Sequence, residues 1–125
     1  MKKYRFIRSL LFALKGVQHV LVTEANMRIH LIFTVLVIIC GFIFKISGTE
    51  WMLCLMCFGL VISMEMMNTA IEKYIDFISL KHHAAAGHVK DIAAGAVLIS
   101  AFIAAIVGLM IFVPKGWQML INLIG

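Results

Sequence analysis

Charge is what this sequence has least of. Charged residues make up 14% of its 125 positions, and only six of them are acidic. A soluble domain carries about 25% charged residues, and a chain this short leaves much of its surface in solvent. So little charge excludes a soluble monomer. A 63% hydrophobic content excludes disorder as well. Proline occurs once, at Pro114, which argues against a loop-rich or all-β chain. Period-two alternation is missing too: the apolar residues come in long runs, so a β-barrel is not expected. No cleavable signal peptide is visible, because the first apolar stretch, Phe6 to Leu14, is interrupted by Arg8 and lacks a small-residue cleavage site. There is no G-x-x-x-x-G-K-[ST], no kinase Gly-rich loop, no H-R-D and no D-F-G, so any nucleotide site is of neither common kind. What remains is a single domain over 1–125 with the bilayer as its solvent.

The charge that is present is unevenly placed. The net charge is +5. Lys2, Lys3, Arg5, Arg8, Lys15 and Arg28 precede the first long apolar run, and Lys73, Lys81 and Lys90 lie between the second and third. Only Lys45 and Lys115 fall elsewhere. This is the positive-inside pattern of a multi-pass membrane protein. It predicts a cytoplasmic N-terminus and 72–91 segment, and an external 45–50 loop and C-terminus. Anionic lipid headgroups are the partner such a basic N-terminus suits, rather than nucleic acid. Cys40, Cys54 and Cys57 all sit inside apolar runs. Hydrocarbon disfavours thiolate, so the Cys54-x-x-Cys57 pair reads as packing and not as a redox or zinc site.

An all-α fold is expected. Residues 1–28 read as an amphipathic helix lying in the membrane interface, with Ile7, Leu10, Leu11, Leu14, Val17 and Leu21 on one face and Arg5, Arg8, Lys15 and His19 on the other. Three transmembrane helices follow, at about 29–46, 51–71 and 92–113. The first apolar run has 16 residues, short of the roughly 20 that a span needs, so it should borrow a turn at either end. Pro114 is expected to stop the third, with Trp51 and Trp117 as interfacial anchors. Residues 72–91 form a cytoplasmic segment.

Carboxylates are unfavourable in a bilayer, so an acid within a span is a functional candidate. Glu65, Asn68, Glu72 and Asp76 are spaced by three, four and four, which puts them within about 80° on one helix face. If the span starts at Trp51, Glu65 lies about 21 Å along it, at 1.5 Å per residue. In a core of ~30 Å it is then under about 10 Å from the cytoplasmic boundary, with Glu72 at or beyond that boundary. A lipid headgroup and a soluble substrate could meet along such a stripe. Carboxylates one or two turns apart can hold Mg²⁺ and leave room for phosphate oxygens. Glu24 is a further acid on the same side, with Arg28 at i+4 to pair with it. Lys90, beside Asp91 just ahead of the third span, can reach phosphate as a point charge, or serve as an anchor beside an N-cap aspartate. His82, His83 and His88 lack a Cys or acid at zinc spacing. The nine methionines read as adaptable packing.

The run Glu65-Met-Met-Asn68-Thr69-Ala70-Ile71-Glu72-Lys-Tyr-Ile-Asp76, followed by Lys90-Asp91-Ile-Ala-Ala-Gly-Ala-Val, resembles the small prokaryotic diacylglycerol kinase family, which includes the undecaprenol kinases. The resemblance covers nearly the whole chain. It implies a homotrimer of three-span subunits with surface helices and with active sites shared between neighbours. It implies transfer of the ATP γ-phosphoryl group to a lipid hydroxyl, with Mg²⁺. By matching position, Glu65 would be the general base and Asn68 would orient it. Glu24 and Glu72 would hold the metal on ATP. Arg5 and Lys90 would contact phosphates, with His83 and Asp91 near the nucleotide. Asp76 and Arg28 would support the site. Lys81-His82-His83 stands where an acidic-aromatic-His triplet is expected, which puts the adenine and ribose contacts in doubt. The block Glu24-Ala-Asn26-Met-Arg28-Ile-His30 resembles the undecaprenol kinase branch more than the diacylglycerol-specific one.

Two other classes compete with a lipid kinase. One is an oligomeric ion or proton translocator with Glu65 as carrier, although transporters favour midplane sites and inverted repeats, and no repeat is seen here. The other is a noncatalytic membrane subunit, which leaves the acid face without a task. A lone three-span chain is expected to expose that face to lipid, so a neighbouring copy should cover it.

Overall fold

The computed structural model describes residues 2–78 and 84–125. Four α-helices dominate them: α1 (Lys2–Thr23), α2 (Ala25–Ile43), α3 (Gly48–Ile78) and α4 (Ala84–Ile124). All four are long and apolar enough to cross a membrane by length and composition, α1 being the least apolar and α4 the most. The fold is thus all-helical, and the chain is multi-pass by its helix composition.

The first helix is shorter than its apolar periodicity predicts. Glu24 adopts an extended backbone, φ −109° and ψ 115°, and separates α1 from α2. The carbonyls this break leaves free find donors. The Glu24 N–H donates to Val20 O at 2.9 Å, and the Arg28 guanidinium reaches back to donate to Leu21 O at 3.2 Å and Val22 O at 2.7 Å. A cation there also meets the negative end of the α1 dipole. Arg28 is therefore a cap on α1, and the expected Glu24–Arg28 pair does not form: an i,i+4 pair presupposes a continuous helix. Ala25–Arg28 becomes the first turn of α2 instead. That brings α2 to 19 residues by extension at its N-terminal end alone.

The α2–α3 connection is closed by local chemistry. Lys45 takes the left-handed conformation, φ 50°, and the Ile46 N–H donates to Gly41 O at 3.1 Å, a Schellman arrangement. A Cβ on Gly41 would lie 2.5 and 2.8 Å from indole atoms of Trp51, so glycine is what lets the ring lie over this turn. Ser47 and Glu50 then form a reciprocal capping box. The Glu50 N–H donates to Ser47 Oγ at 3.2 Å, and the Ser47 N–H donates to Glu50 Oε1 at 2.9 Å. Lys115 of α4 adds an ion pair to the same carboxylate at 3.3 Å. Beside this turn, Ile46, Cys54 and Ile111 form a buried cluster, flanked by Phe44, Trp51, Phe58 and Phe112.

Pro114 does not end the last helix. Helix α4 runs 41 residues, straight through it. Proline removes one backbone N–H and crowds the carbonyl four residues earlier, but helices in a membrane protein tolerate this where neighbouring groups compensate. At its other end α4 begins at Ala84, so Asp91 lies inside it and is not an N-cap. At 1.5 Å per residue α4 is about 61 Å long, twice the ~30 Å hydrocarbon core, so part of it stands outside a bilayer.

The α3–α4 pair makes the most extensive contact, and α2 packs on α3. Only the last turns of α1 touch the body, through buried Val20 and half-buried Leu21. Its apolar stripe from Ile7 to Val17 is exposed.

Candidate active site

Helix α3 carries the acid face, and exposure rises along it. Glu65 is 2% exposed, Asn68 is half-buried, and Glu72 and Asp76 are exposed. Glu65 meets α2, where His30 Nε2 lies 3.6 Å from its Oε2. Among the described residues His30 is its only ion-pair partner. The expectation that a single chain leaves the whole face uncovered fails here: this chain already buries its most apolar-placed acid. Thr69, one turn further, is also buried, and its hydroxyl has no hydrogen-bond partner among the described residues.

Two contacts tie neighbouring helices to the exposed end of α3. The Lys90 ammonium of α4 donates to Asp76 Oδ1. The Lys73 ammonium donates to His19 Nε2 of α1 at 2.8 Å. The contact with Asp76 holds Lys90 over the polar end of α3. Asp91 is exposed beside it.

Glu24 sits at the α1–α2 break. Its carboxylate is half-buried and caps neither helix. Among the described residues no three His, Cys, Asp or Glu side chains come together as a metal cage. Arg5 is exposed near the far end of α1, where Lys2, Tyr4, Arg5 and Arg8 line a basic concavity of about 380 Å³. It lies about 29 Å along the helix from Glu24, at 1.5 Å per residue, so this chain does not bring Arg5 to its own Glu65. His83, with Lys81 and His82, lies outside the described residues.

His30 is the site neighbour that residue-by-residue reading passed over. It was present in the Glu24-x-Asn26-x-Arg28-x-His30 block, but spacing along α2 does not reveal which of its faces meets α3. It also lines one end of an apolar groove of about 550 Å³ between α2, α3 and α4, with Phe33, Val61 and Leu109 among its walls.

Comparison with known proteins agrees with this chemistry. The family model described as "Prokaryotic diacylglycerol kinase" matches residues 11–112. The chain is 43% identical over 111 residues to the undecaprenol kinase of Bacillus subtilis (strain 168), covering 89% of this chain and 90% of that one. It is 34% identical over 104 residues to a diacylglycerol kinase of Synechocystis, covering 82% of this chain and 59% of the relative. It is 28% identical over 102 residues to the diacylglycerol kinase of Escherichia coli (strain K12), covering 82% and 84% respectively. A membrane-embedded acid face, a lysine beside it and a match across most of the chain lead to one assignment: the chain belongs to the prokaryotic diacylglycerol kinase family and is a lipid kinase that uses ATP.

Proposed function

We propose that this protein transfers the γ-phosphoryl group of ATP to the hydroxyl of undecaprenol at the cytoplasmic face of the membrane, with Glu65 as general base. The observation that carries this reading is the position of Glu65: buried, yet on the same helix face as the exposed Glu72. A base so placed lies between the hydrocarbon, which brings the lipid hydroxyl, and the exposed Glu72, where a nucleotide comes from water. The polyprenol is favoured over diacylglycerol by the likeness to the Bacillus subtilis undecaprenol kinase and by the His30-containing block on α2.

Two ion pairs support the membrane placement. Asp76–Lys90 and Glu50–Lys115 join the antiparallel α3 and α4 at two levels. Lys90 and Lys115 are 25 residues apart, about 38 Å at 1.5 Å per residue. A hydrocarbon core of ~30 Å fits between these levels, and Glu65, about 16 Å along α3 from Asp76 at 1.5 Å per residue, then lies about 12 Å inside its edge on the Asp76 side.

Phosphoryl transfer asks a protein mainly for positioning and charge neutralisation. Glu65 accepts the acceptor's hydroxyl proton, and Asn68, one turn on, orients it. Lys90 offers its charge to phosphate, with Asp76 holding it meanwhile. Glu24 and Glu72 suit a nucleotide-bound Mg²⁺, which takes one or two carboxylates and fills its remaining positions with phosphate and water oxygens. When bound, the ion supplies neutralisation of charge on the phosphate oxygens. Arg5 reaches phosphate in a neighbouring subunit's site, since its own is too distant, and this is a reason to expect sites shared between copies; that the copies number three is what the family resemblance implies.

The test is purified protein in mixed micelles with radiolabelled ATP and Mg²⁺, offered undecaprenol and diacylglycerol separately. Labelled undecaprenyl phosphate in excess is expected. Preferential labelling of diacylglycerol would overturn the acceptor.

A further inference from the structure

We infer that His30 is the proton exit for Glu65. The inference rests on Glu65 being the base. In each turnover the acceptor O–H bond breaks, its proton passes to the Glu65 carboxylate, the oxygen bonds to the γ-phosphorus, and ADP leaves with the electrons of the broken P–O bond. Glu65 must then lose that proton before the next turnover. Its 2% exposure denies it direct access to water.

The geometry supplies one way out. His30 Nε2 stands 3.6 Å from Glu65 Oε2, and the histidine side chain is 21% exposed against 3% for the glutamate. An imidazole that takes a proton on one nitrogen releases one from the other, so it passes a proton on without moving far. The separation is a few tenths of an ångström beyond hydrogen-bond contact. A side-chain rotation closes that gap, and catalytic hydrogen bonds are often long without substrate.

No other charged group competes for either partner among the described residues. On α2 itself, Arg28 is engaged with the carbonyls of Leu21 and Val22. On α1, His19 accepts from Lys73 of α3. From α4, the groove wall facing His30 is apolar, running from Ala101 to Phe112, and Lys90 is held by Asp76. The remaining titratable groups lining the groove are the thiols of Cys54 and Cys57. His30 is accordingly a positioning residue that works through Glu65, with the relay as its second task. His30 releases the proton from its second ring nitrogen to water at the exposed edge of its side chain, and so returns Glu65 to the carboxylate.

The experiment uses the full chain in micelles with ATP, Mg²⁺ and whichever acceptor the wild type phosphorylates. Wild-type turnover establishes the kinase reading independently of His30. His30→Ala is expected to lower kcat at least tenfold with KM for ATP within twofold. Added imidazole, which fits the space the ring leaves, is expected to restore the rate in proportion to its concentration. The wild type and Glu65→Gln should show no such dependence. Near-wild-type turnover of His30→Ala would overturn the relay. So would a loss that imidazole leaves untouched while ATP binding is intact. If the alanine variant does not fold, His30→Gln decides the matter, because it keeps a polar side chain without a titratable nitrogen. Full activity in that variant overturns the relay, and a tenfold loss of kcat with unchanged KM upholds it.

Discussion

The two ends of the α3–α4 pair treat their polar groups differently. At the turn end, Ser47, Glu50 and Lys115 satisfy one another, the α2 terminus closes on itself, and Trp51 covers Gly41. At the acid end, Glu72 is exposed, Glu24 caps no helix, and the Thr69 hydroxyl is buried without a partner among the described residues. The turn end is finished by its own chain. The acid end holds groups that folding alone does not need. A buried polar group without a partner is unfavourable by about 1–3 kcal/mol, a cost that no group at the turn end carries among the described residues.

The largest effect should come from neutralising the acids. Glu65→Gln is expected to lower turnover by roughly a hundredfold or more, the scale of losing a general base, with ATP binding retained. Glu72→Gln should cost a comparable factor through the metal and respond to raised Mg²⁺, which Glu65→Gln should not. Neither should lower the melting temperature, because Glu65→Gln removes an acid that is unfavourable to bury and Glu72 is exposed. Activity near wild type in Glu65→Gln would exclude it as base. A fall in stability of either variant would erase the distinction between the two ends.

Gly41→Ala should do the reverse. The added methyl meets the Trp51 indole, which is itself packed on Phe42 with ring centroids 5.0 Å apart, so the ring has little room to yield. Overpacking of this kind typically destabilises by about 1–3 kcal/mol. Thermal unfolding in detergent should show the loss, while kcat of the folded fraction stays unchanged. The two lysines that join α3 to α4 sharpen the point further. Lys115→Met and Lys90→Met each remove one partly exposed ion pair, worth at most about 1 kcal/mol. Lys115→Met should leave kinetics alone, whereas Lys90→Met should raise KM for ATP about tenfold. Equal kinetic effects would mean that Lys90 is only a clamp.

What the residues alone revealed follows the same division. Long apolar runs announced the helices, because a bilayer leaves the backbone few alternatives. The face shared by Glu65, Asn68, Glu72 and Asp76 followed from 100° per residue within one helix. The features that escaped involve two elements at once. The break at Glu24 turned Arg28 from a side-chain partner into a helix cap. Helix α4 passed through Pro114 although a local rule would stop it there. The His30–Glu65 contact depends on which faces of α2 and α3 meet, and neither helix's periodicity carries that information.

The smallest effect concerns pH at the turn end. The N–H of Ser47, and after it the Lys115 ammonium, hold the Glu50 carboxyl below the usual carboxylate range. A carboxyl whose folded pKa is depressed binds its proton more tightly when unfolded. Its contribution to stability is therefore fully present above the unfolded value, near 4.5, and is lost as pH falls through the folded one. Melting temperature measured from pH 7 down to pH 3 should decline at the acid end of that range in the wild type, and Glu50→Gln should remove part of the decline. Glutamine keeps an acceptor for the Ser47 N–H but has no charge for Lys115 and no proton to bind, so the two contributions separate. At pH 7 the variant should be slightly less stable, and near pH 3 the two curves should approach each other. Parallel curves over the whole range would show that the capping box works at this turn without its charge, and that the turn end is closed by shape and backbone hydrogen bonds alone.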